Sequence, residues 1–329
     1  MQLEALLEQA CSRREALALR LGAQDTDCWR LFHGAAEGRE GLTIDRYGDL
    51  ALLQTFREPL APGEFERLER LLRERCPALA HCVWNHRGPG AGGAAAPAAL
   101  AEREIRERGL RLYFLARHRG QDPWLFLDLR TGRQRLAELA RGASVLNLFA
   151  YTCGAGLAAA RAGAREVWNV DFSDSALEVG RRSAALNGLS AAGIEFVHED
   201  VLPVLRQLAG LPVKGRASLR PHLRVEARRF DLVLLDPPAW SKGPFGAVDV
   251  ARDYPSLFKP ALLATADGGT LLATNHLASV TRAQFAAQLE ACARKAGRPL
   301  DALEFLGPDE DFPVREGEPP LKIAVCRVS

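Results

Sequence analysis

The sequence predicts an α/β fold: a doubly wound, mostly parallel sheet in the last two-thirds of the chain, preceded by a smaller α+β domain. From about residue 131, short apolar segments alternate with helical segments, which is typical of a parallel sheet covered on both faces. Segment 230–236 is almost wholly apolar, as expected for a strand buried on both sides. Two final apolar segments, near 303–306 and 321–327, lie close enough in sequence to form an antiparallel end.

The same alternation predicts the individual elements of the larger domain. The expected strands are 145–150, 166–171, 194–198, 230–236 and 269–275. The expected helices are 132–139, 154–162, 174–187, 201–208, 254–265 and 282–295.

The first 120 residues have mixed character and are assigned to the α+β domain, with residues 121–329 forming the larger one. An amphipathic helix opens the chain, and 41–56 alternates around Tyr47-Gly48-Asp49 like a β-hairpin. A helix at 62–76 and a strand at 81–86 follow. The Gly- and Pro-rich stretch 88–99 is expected to be a flexible loop, and strands at 110–116 and 124–129 to form a second hairpin.

The bulk composition excludes several classes of protein. No run of 18 apolar residues is present, and the charged opening helix does not resemble a signal peptide, so we expect a cytoplasmic protein without membrane contact. The seven cysteines are scattered without a CxxC pair, which argues against a disulfide framework and a zinc site. We therefore expect no metal.

The charge distribution is more informative than the net charge of +2. Between residues 206 and 229 seven Lys and Arg stand against one acidic residue, Glu226. Such a block either contacts phosphate or forms a solvated basic loop, and the sequence alone leaves both interpretations open.

Candidate ligand-binding residues follow the predicted strands, because ligands of such sheets bind at the carboxyl ends of the strands. Gly154 and Gly156 permit a tight turn and a close backbone approach before a helix N-terminus. Asp171 ends the second strand, where its carboxylate can accept both hydroxyls of a ribose. Asp200 follows the third strand, where it can accept the amino group of adenine while Val201 donates its backbone amide and packs on the ring.

The fourth strand ends in Asp236-Pro237-Pro238-Ala239-Trp240, which decides between two kinds of enzyme. The run 154–159 also fits the dinucleotide fingerprint, so an NAD(P)-dependent oxidoreductase is the natural rival. Neither Asp200 nor the Asp-Pro-Pro-aromatic element has a role in that scheme. Together the strand ends favour transfer of a methyl group from S-adenosylmethionine (SAM).

These motifs resemble the class I SAM-dependent methyltransferases that act on bacterial large-subunit ribosomal RNA, whose catalytic domain is a Rossmann-like sheet. More narrowly, the chain is similar to the cytosine-5 family with a PUA, a central and a catalytic domain, and to its relative that makes 7-methylguanosine. The segments that carry the resemblance are VLNLFAYTCG, NVDFS, EDV and LDPPAWSK, together with GLTIDRYG at 41–48 and FLDLR at 126–130. The residues before Gly41 leave no room for the PUA domain, so we expect it to be lacking.

The resemblance implies roles for individual residues. Arg130 would bind the methionyl carboxylate of the cofactor, a bidentate task suited to guanidinium. Tyr151 and the backbone from Thr152 to Gly156 would line the methionine and the sulfonium, and Asp171 with Ser173 would hold the ribose edge. The matched motifs also bring Asn147, Phe149, Phe172 and Asp236 into the expected cofactor site.

The acceptor side departs from the cytosine-5 pattern. Carbon-5 methylation needs a cysteine thiolate, which that family carries after its fifth strand; here that strand ends Thr274-Asn275-His276, and Ala239 occupies the other known position. Cys153 and Cys326 are expected to pack as small apolar residues. The acceptor side instead suits nitrogen methylation, and its candidate residues are Asp236, Pro237, Pro238, Trp240 and Asn275. The Trp240 ring could stack on a base or pack as a lid.

We therefore expect a methyltransferase of a ribosomal (23S) RNA base, with the α+β domain binding the RNA. The resemblance, the basic block and the Asp-Pro-Pro-aromatic element support RNA as the substrate. A protein or small-molecule acceptor is the alternative, and RNA binding would differ from it by weakening steeply with salt. The oligomeric state is left open, a homodimer included.

Overall fold

The computed structural model describes residues 3–90, 92–118, 122–189, 193–213, 221–243, 246–314 and 317–329, except for the side chains of 240–249, 251 and 252. The chain divides into two compact units. The first comprises Met1–Asp128 and Pro308–Gly317, and the second comprises Leu129–Gly307 and Glu318–Ser329. The first unit thus extends beyond the expected boundary at residue 120 and takes in a segment from late in the chain.

The first unit packs helices against a mixed sheet. Its helices are α1 Leu3–Arg13, α2 Glu15–Ala23, α3 Gly34–Glu37 and α4 Glu64–Arg75. Its strands are β1 Cys28–His33, β2 Leu42–Tyr47, β3 Leu50–Thr55, β4 His81–His86, β5 Gly93–Ala95, β6 Arg103–Glu107 and β7 Leu110–Phe114. The main sheet has the order β1-β2-β3-β4-β5, and β6 pairs with β7. Leucines of α1, α2 and α4 and apolar side chains of β1 to β4 form the core.

The hairpin predicted at 41–56 is confirmed as β2 and β3, with Gly48 at a positive φ of 63° in the turn. The flexible loop predicted at 88–99 is wrong in part, because β5 pairs with β4 and a 3-10 turn covers Pro97–Leu100. Glycine and alanine are tolerated in β5 because it is an edge strand and pairs with only one other strand. The strand β1, which pairs with β2, was not predicted.

The second predicted hairpin, 110–116 with 124–129, is also wrong. Its first strand is β7, but β7 pairs with β6 across a two-residue turn at Arg108 and Gly109, whose φ values are 52° and 74°. Positive φ at both central residues suits the twist of a tight hairpin, and glycine supplies one of them without strain. Segment 124–129 instead contains a 3-10 turn at Leu127–Leu129.

The segment Pro308–Gly317 is tied to the first unit by buried polar contacts. The Asp311 carboxylate accepts the backbone N–H of Arg30 at 2.8 Å, and its backbone oxygen accepts a hydrogen bond from Arg14 at 3.2 Å. Arg14 is also buried against Glu37, at 2.7 Å. The Phe312 ring centroid lies 4.5 Å from the guanidinium carbon of Arg30. This late segment therefore forms part of the interior of the first unit.

The second unit alternates strands and helices as predicted. Its helices are α5 Arg130–Leu139, α6 Gly154–Arg161, α7 Asp174–Leu186, α8 Val201–Leu208, α9 Val250–Leu263 and α10 Arg282–Ala296. Its strands are β8 Ser144–Leu148, β9 Glu166–Asp171, β10 Ile194–His198, β11 Phe230–Leu235, β12 Trp240–Gly243, β13 Gly246–Asp249, β14 Thr265–Asn275, β15 Leu300–Leu306 and β16 Lys322–Val328.

The main sheet of this unit has the order β10-β9-β8-β11-β14-β16-β15. The first five strands in this order, β10, β9, β8, β11 and β14, are parallel to one another. Strand β16 is antiparallel to both β14 and β15. Apolar side chains of β8, β11 and β14 pack into clusters with helices on both faces. The predicted α/β class with a mostly parallel sheet and an antiparallel end is therefore confirmed. The small hairpin of β12 and β13 was not predicted.

Within the residues that the structure describes, no helix is long and apolar enough to cross a membrane. Over the same residues, no group of three or more His, Cys, Asp or Glu side chains is arranged to hold a metal ion.

Candidate functional site

The carboxyl ends of five parallel strands meet at one edge of the sheet in the second unit. From β8 the chain proceeds outward through β9 to β10 and then returns to the other side of β8 as β11. The order therefore reverses between β8 and β11, and ligands of doubly wound sheets bind beside such a reversal. The residues that follow β8, β9, β10, β11 and β14 form the candidate site.

The loop between β8 and α6 has an unusual backbone. Phe149, Tyr151 and Cys153 have φ values of 59°, 49° and 66°, although none is a glycine. Each such residue costs about 1 kcal/mol or more, and clusters of them are found at ligand sites. The loop leads directly into α6 at Gly154, so it presents the N-terminus of that helix to the ligand edge.

Asp171 holds this loop from the end of β9. One carboxylate oxygen accepts the backbone N–H of Tyr151 and the other that of Ser173, both at 2.8 Å. Burial raises the pKa of Asp171, and the backbone N–H donors of Ser173 and Tyr151 offset only part of that effect. The backbone N–H of Phe172 also acts on this carboxylate, which has about four acceptor positions in all, so Asp171 retains the capacity to bind a ribose hydroxyl.

Gly156 and Asn147 stabilise the packing of α6 on the sheet. A Cβ at Gly156 would lie 1.9 Å from the side-chain oxygen of Asn169 on β9, so any other residue there would force that side chain to move. The same Asn169 oxygen accepts a hydrogen bond from the Asn147 amide at 2.9 Å, and all three residues are buried. Helix–sheet packing therefore already accounts for glycine at position 156, and the close approach to a ligand stays a prediction.

Asp200 and Ser173 cap helices at the same edge. The Asp200 carboxylate accepts the backbone N–H of Leu202 at 2.9 Å, and the Ser173 hydroxyl accepts that of Ala176 at 3.3 Å. Val201 is buried in the apolar core of the unit. Phe172, in contrast, is 43% exposed next to Asp171, which is unusual for so large an apolar side chain at a strand end.

Two buried arginines lie in the first turn of α5. Arg130, the expected carboxylate-binding residue, and Arg133 are both 3% exposed. Arg133 lies close enough to Asp236 to help lower the pKa of that carboxyl group. Sequence reasoning did not identify Arg133, although the spacing of three places both arginines on one face of the helix.

Asp236 follows β11, and side chains from the end of β14 converge on it. Its Oδ1 accepts a hydrogen bond from the Thr274 hydroxyl and lies 2.9 Å from Nε2 of His276. Burial raises the pKa of Asp236, but hydrogen bonds and charge from His276, the Thr274 hydroxyl and the charge of Arg133 outweigh burial and lower it. Asp236 therefore carries its negative charge at neutral pH.

Asn275 is placed differently from the expectation that it presents its amide to a substrate base. It is 1% exposed, and its side-chain oxygen accepts the backbone N–H of Leu277 at 2.9 Å. Successive side chains of a strand point to opposite faces, so Thr274 and His276 share one side of β14 while Asn275 occupies the other. Thr274 was not predicted, and His276 was only weakly indicated. The signal that could have found them is their spacing of two residues at the end of a strand predicted to lie beside the strand that ends at Asp236.

The remaining predicted acceptor residues are Pro237, Pro238 and Trp240. Pro237 is buried and Pro238 is exposed directly after Asp236. Trp240 begins β12, and its side chain lies outside the part of the structure that is described. The oxygen of Ala239 accepts the backbone N–H of Val250, which joins the start of α9 to this segment.

Comparison with known proteins identifies the enzyme. A family model of S-adenosylmethionine-dependent methyltransferases matches residues 29–327. The chain belongs to that family. It is 30% identical over 328 residues to ribosomal RNA large subunit methyltransferase I of Aeromonas hydrophila. That alignment covers 95% of this chain and 76% of the relative. It is 31% identical over 307 residues to a ribosomal RNA large subunit methyltransferase of Deinococcus radiodurans, spanning 89% of this chain and 71% of the relative.

Among solved structures, a protein of Streptococcus mutans described as a SAM-dependent methyltransferase matches with a TM-score of 0.78 and 25% identity. The match covers 99% of this chain and 80% of that chain. The interpretation as a methyltransferase that uses SAM is therefore confirmed, and the alternative of an NAD(P)-dependent oxidoreductase is not supported.

Two cysteines of the second unit, Cys153 in the loop before α6 and Cys326 on β16, are buried. Cys153 packs so closely on α7 that a Cβ at Gly180 would lie 2.6 Å from its sulfur, and burial raises its pKa. Burial also raises the pKa of Cys326, to about 12. A covalent mechanism needs an accessible thiolate, and both thiols are buried and protonated at neutral pH.

Proposed function

We propose that this methyltransferase transfers the methyl group of SAM to a nitrogen of a base in large-subunit ribosomal RNA. The observation that carries the proposal is the charged Asp236 carboxylate, oriented by Thr274 and His276 at the end of β11. A carboxylate there serves a nitrogen nucleophile, whereas carbon-5 methylation of cytosine requires a cysteine thiolate.

The proposed cofactor site lies along the strand ends from β8 to β10. Arg130 would bind the methionyl carboxylate, and Asp171 would accept the ribose hydroxyls while it holds the Phe149–Cys153 loop in shape. Asp200 would accept the adenine amino group with the carboxylate capacity that the cap of α8 leaves. SAM, when bound, supplies a methyl group activated by its sulfonium.

The contribution of the protein to methyl transfer is alignment and charge. A nitrogen that gains a methyl group becomes more positive, and the fixed charge of Asp236 stabilises that change. Where the acceptor is an amino group, Asp236 accepts a hydrogen bond from it and orients its lone pair. His276, 33% exposed in its side chain and 2.9 Å from Asp236, holds that carboxylate in place, and the proton that a methylated amino group loses passes to solvent.

The names of the relatives from Aeromonas hydrophila and Deinococcus radiodurans support ribosomal RNA as the substrate. The basic block supports it less directly. Its residues 214–220 lie outside the described part of the structure, and two of its arginines are paired: Arg228 with Glu166 and Arg229 with Asp267. We assign RNA binding mainly to the first unit, as the resemblance implies, and activity on ribosomal RNA implies a cytoplasmic enzyme.

The test is methylation of ribosomal RNA from a strain that lacks the gene, with labelled SAM, followed by nucleoside analysis. We expect label in a nitrogen-methylated nucleoside of large-subunit RNA and none with Asp236→Asn. Label in 5-methylcytosine would contradict nitrogen transfer. Absence of label from RNA, combined with normal binding of SAM, would favour a protein or small-molecule acceptor. RNA binding should also weaken steeply as salt rises.

A further inference from the structure

Residues 223–225, inside the basic block, are held next to the adenine end of the proposed cofactor site by side-chain contacts from two other elements. The Glu199 carboxylate accepts the backbone N–H of Leu223 at 2.8 Å. The Gln207 amide donates to the backbone oxygen of Leu223 at 2.9 Å, and its side-chain oxygen lies 3.4 Å from the backbone nitrogen of Val225. Both backbone groups of Leu223 are thus fixed by side chains of other elements.

This fixed segment is joined to the ribose and adenine positions by consecutive hydrogen bonds. The backbone N–H of Glu199 donates to the oxygen of Asp171 at 3.1 Å, and the Glu199 carboxylate accepts the N–H of Asp200 at 2.9 Å. Nε2 of the neighbouring His198 lies 3.1 Å from the backbone oxygen of Phe172. Residues 198–200 therefore hold both Phe172 and Leu223 beside Asp200.

Phe172 and Leu223 are also among the most exposed large apolar side chains described, at 43% and 47%. A single exposed leucine on a surface needs no explanation. Here, however, ordering a loop costs about 1–2 kcal/mol of conformational entropy per residue. The Glu199 carboxylate offsets part of that cost at Leu223, because it accepts the backbone N–H of that residue. An apolar side chain held next to a polar ligand position suits an aromatic ring such as adenine, whose faces pack against apolar groups and whose edge forms hydrogen bonds.

We propose that Leu223, positioned by Glu199, packs against the adenine ring of the cofactor and forms one wall of its pocket together with Phe172. Glu199 is a positioning residue, since its carboxylate contacts the backbone of Leu223 and of Asp200 and acts through them. This role concerns the cofactor and does not depend on which acceptor is methylated.

The test is calorimetric binding of S-adenosylhomocysteine and of adenosine alone. Leu223→Ser should weaken both by about 5- to 10-fold, because the lost contact is to the ring that both ligands share. Leu223→Met should bind both within about twofold of the wild type, because it keeps the apolar volume. Arg130→Lys should weaken S-adenosylhomocysteine but not adenosine, since only the former carries the carboxylate.

Glu199→Ala should weaken both ligands at least as much as Leu223→Ser, because its carboxylate accepts the backbone N–H of Asp200 as well as that of Leu223. The double variant should bind no more weakly than Glu199→Ala alone, because the contact of Leu223 is already lost in that variant. Leu19→Ser, at a leucine that is 77% exposed in the first unit, and Arg224→Ala, next to Leu223, serve as controls without effect. Wild-type affinity of Leu223→Ser for S-adenosylhomocysteine would overturn the proposal. So would a loss that spares adenosine, or additive effects of Glu199→Ala and Leu223→Ser.

Discussion

The proposed cofactor half and the proposed acceptor half of the ligand edge are built in different ways. On the cofactor half, side chains contact backbone: Asp171 accepts from Tyr151 and Ser173, and Asp200 accepts from Leu202. On the acceptor half, side chains contact one another, because Thr274 and His276 both lie on one oxygen of Asp236. In the cofactor half, side chains therefore fix the conformation of the backbone. In the acceptor half, side chains fix the position of a charged carboxylate.

This difference has a consequence for how each half tolerates change. A backbone shape is lost only when its packing or its anchoring side chain is lost, and the effect then appears in folding or in cofactor affinity. A charge held by side chains can be removed with little change of shape, and the effect then appears in the rate of methyl transfer. Substitutions on the two halves should separate along this line.

The largest expected effect is that of Asp236→Asn. It removes the negative charge and keeps the volume, so methyl transfer in a single turnover should slow by at least about 100-fold. The dissociation constant of S-adenosylhomocysteine should change by less than about threefold, because the backbone shape is intact. Rapid-quench measurement with labelled SAM and calorimetry give the two quantities.

The matched control is Asp231→Asn, at the opposite end of the same strand, where Asp231 accepts the backbone N–H of Ser144 at 2.8 Å. This variant should leave the rate of methyl transfer unchanged. A rate loss shared equally by the two variants would show that the effect comes from the strand and not from the charge.

Next in size is the cost of Gly156→Ala on the cofactor half. The new Cβ would lie 1.9 Å from the Asn169 oxygen, and relief of such overpacking typically costs about 2–3 kcal/mol of unfolding free energy, measured by urea denaturation. Gly22→Ala in α2 is the control, since nothing lies within 4 Å of its Cβ position. It should raise stability by up to about 1 kcal/mol. Equal stabilities of the two variants would be incompatible with this packing.

A smaller effect is expected from Asp171→Asn. This variant should bind S-adenosylhomocysteine about tenfold more weakly, because one or two charge-assisted hydrogen bonds are lost. The pKa of Asp171 is raised above its usual 3.8, so its carboxylate begins to be protonated at a higher pH than an ordinary aspartate. Wild-type affinity should therefore fall as pH is lowered, starting above 3.8, while that of the variant stays flat. Parallel pH profiles from calorimetry would exclude Asp171 as the group responsible.

The smallest effect should follow Cys153→Ala and Cys326→Ala, with methyl transfer within about twofold of the wild type. Both thiols are buried, and burial raises the pKa of each. Single-turnover rates check this, with Asp236→Asn as the slow reference. A 100-fold loss in either variant, in a folded protein, would point to a covalent thiol step and reopen carbon-5 chemistry.

The larger unit could be predicted closely from sequence because its signals are local. The strands Glu166–Asp171 and Ile194–His198 and the helix Val201–Leu208 begin and end where their apolar pattern does. The first unit was harder, since β5 and β6 depend on partners. Residues Gly93–Ala95 form a strand because β4 offers an open edge, which no local pattern of glycine and alanine reveals.

The site divides in the same way. The strand-end aspartates were predictable because they interrupt apolar segments. Arg133 and Thr274 were not, because their importance comes from where α5 and β14 bring them relative to Asp236. Asn275 shows the converse: its residue type suits base recognition, but the turn after β14 uses its oxygen for Leu277.

The segment Pro308–Gly317 also constrains when the protein can become complete during its synthesis. Its Asp311 contacts Arg14 and Arg30, nearly 300 residues earlier in the chain, inside the first unit. A ribosome that has released the first 128 residues has therefore made most of that unit without its last piece. The first unit must stay incomplete while nearly all of the main sheet of the second unit is translated, and expression of residues 1–128 alone would leave this interior unfilled.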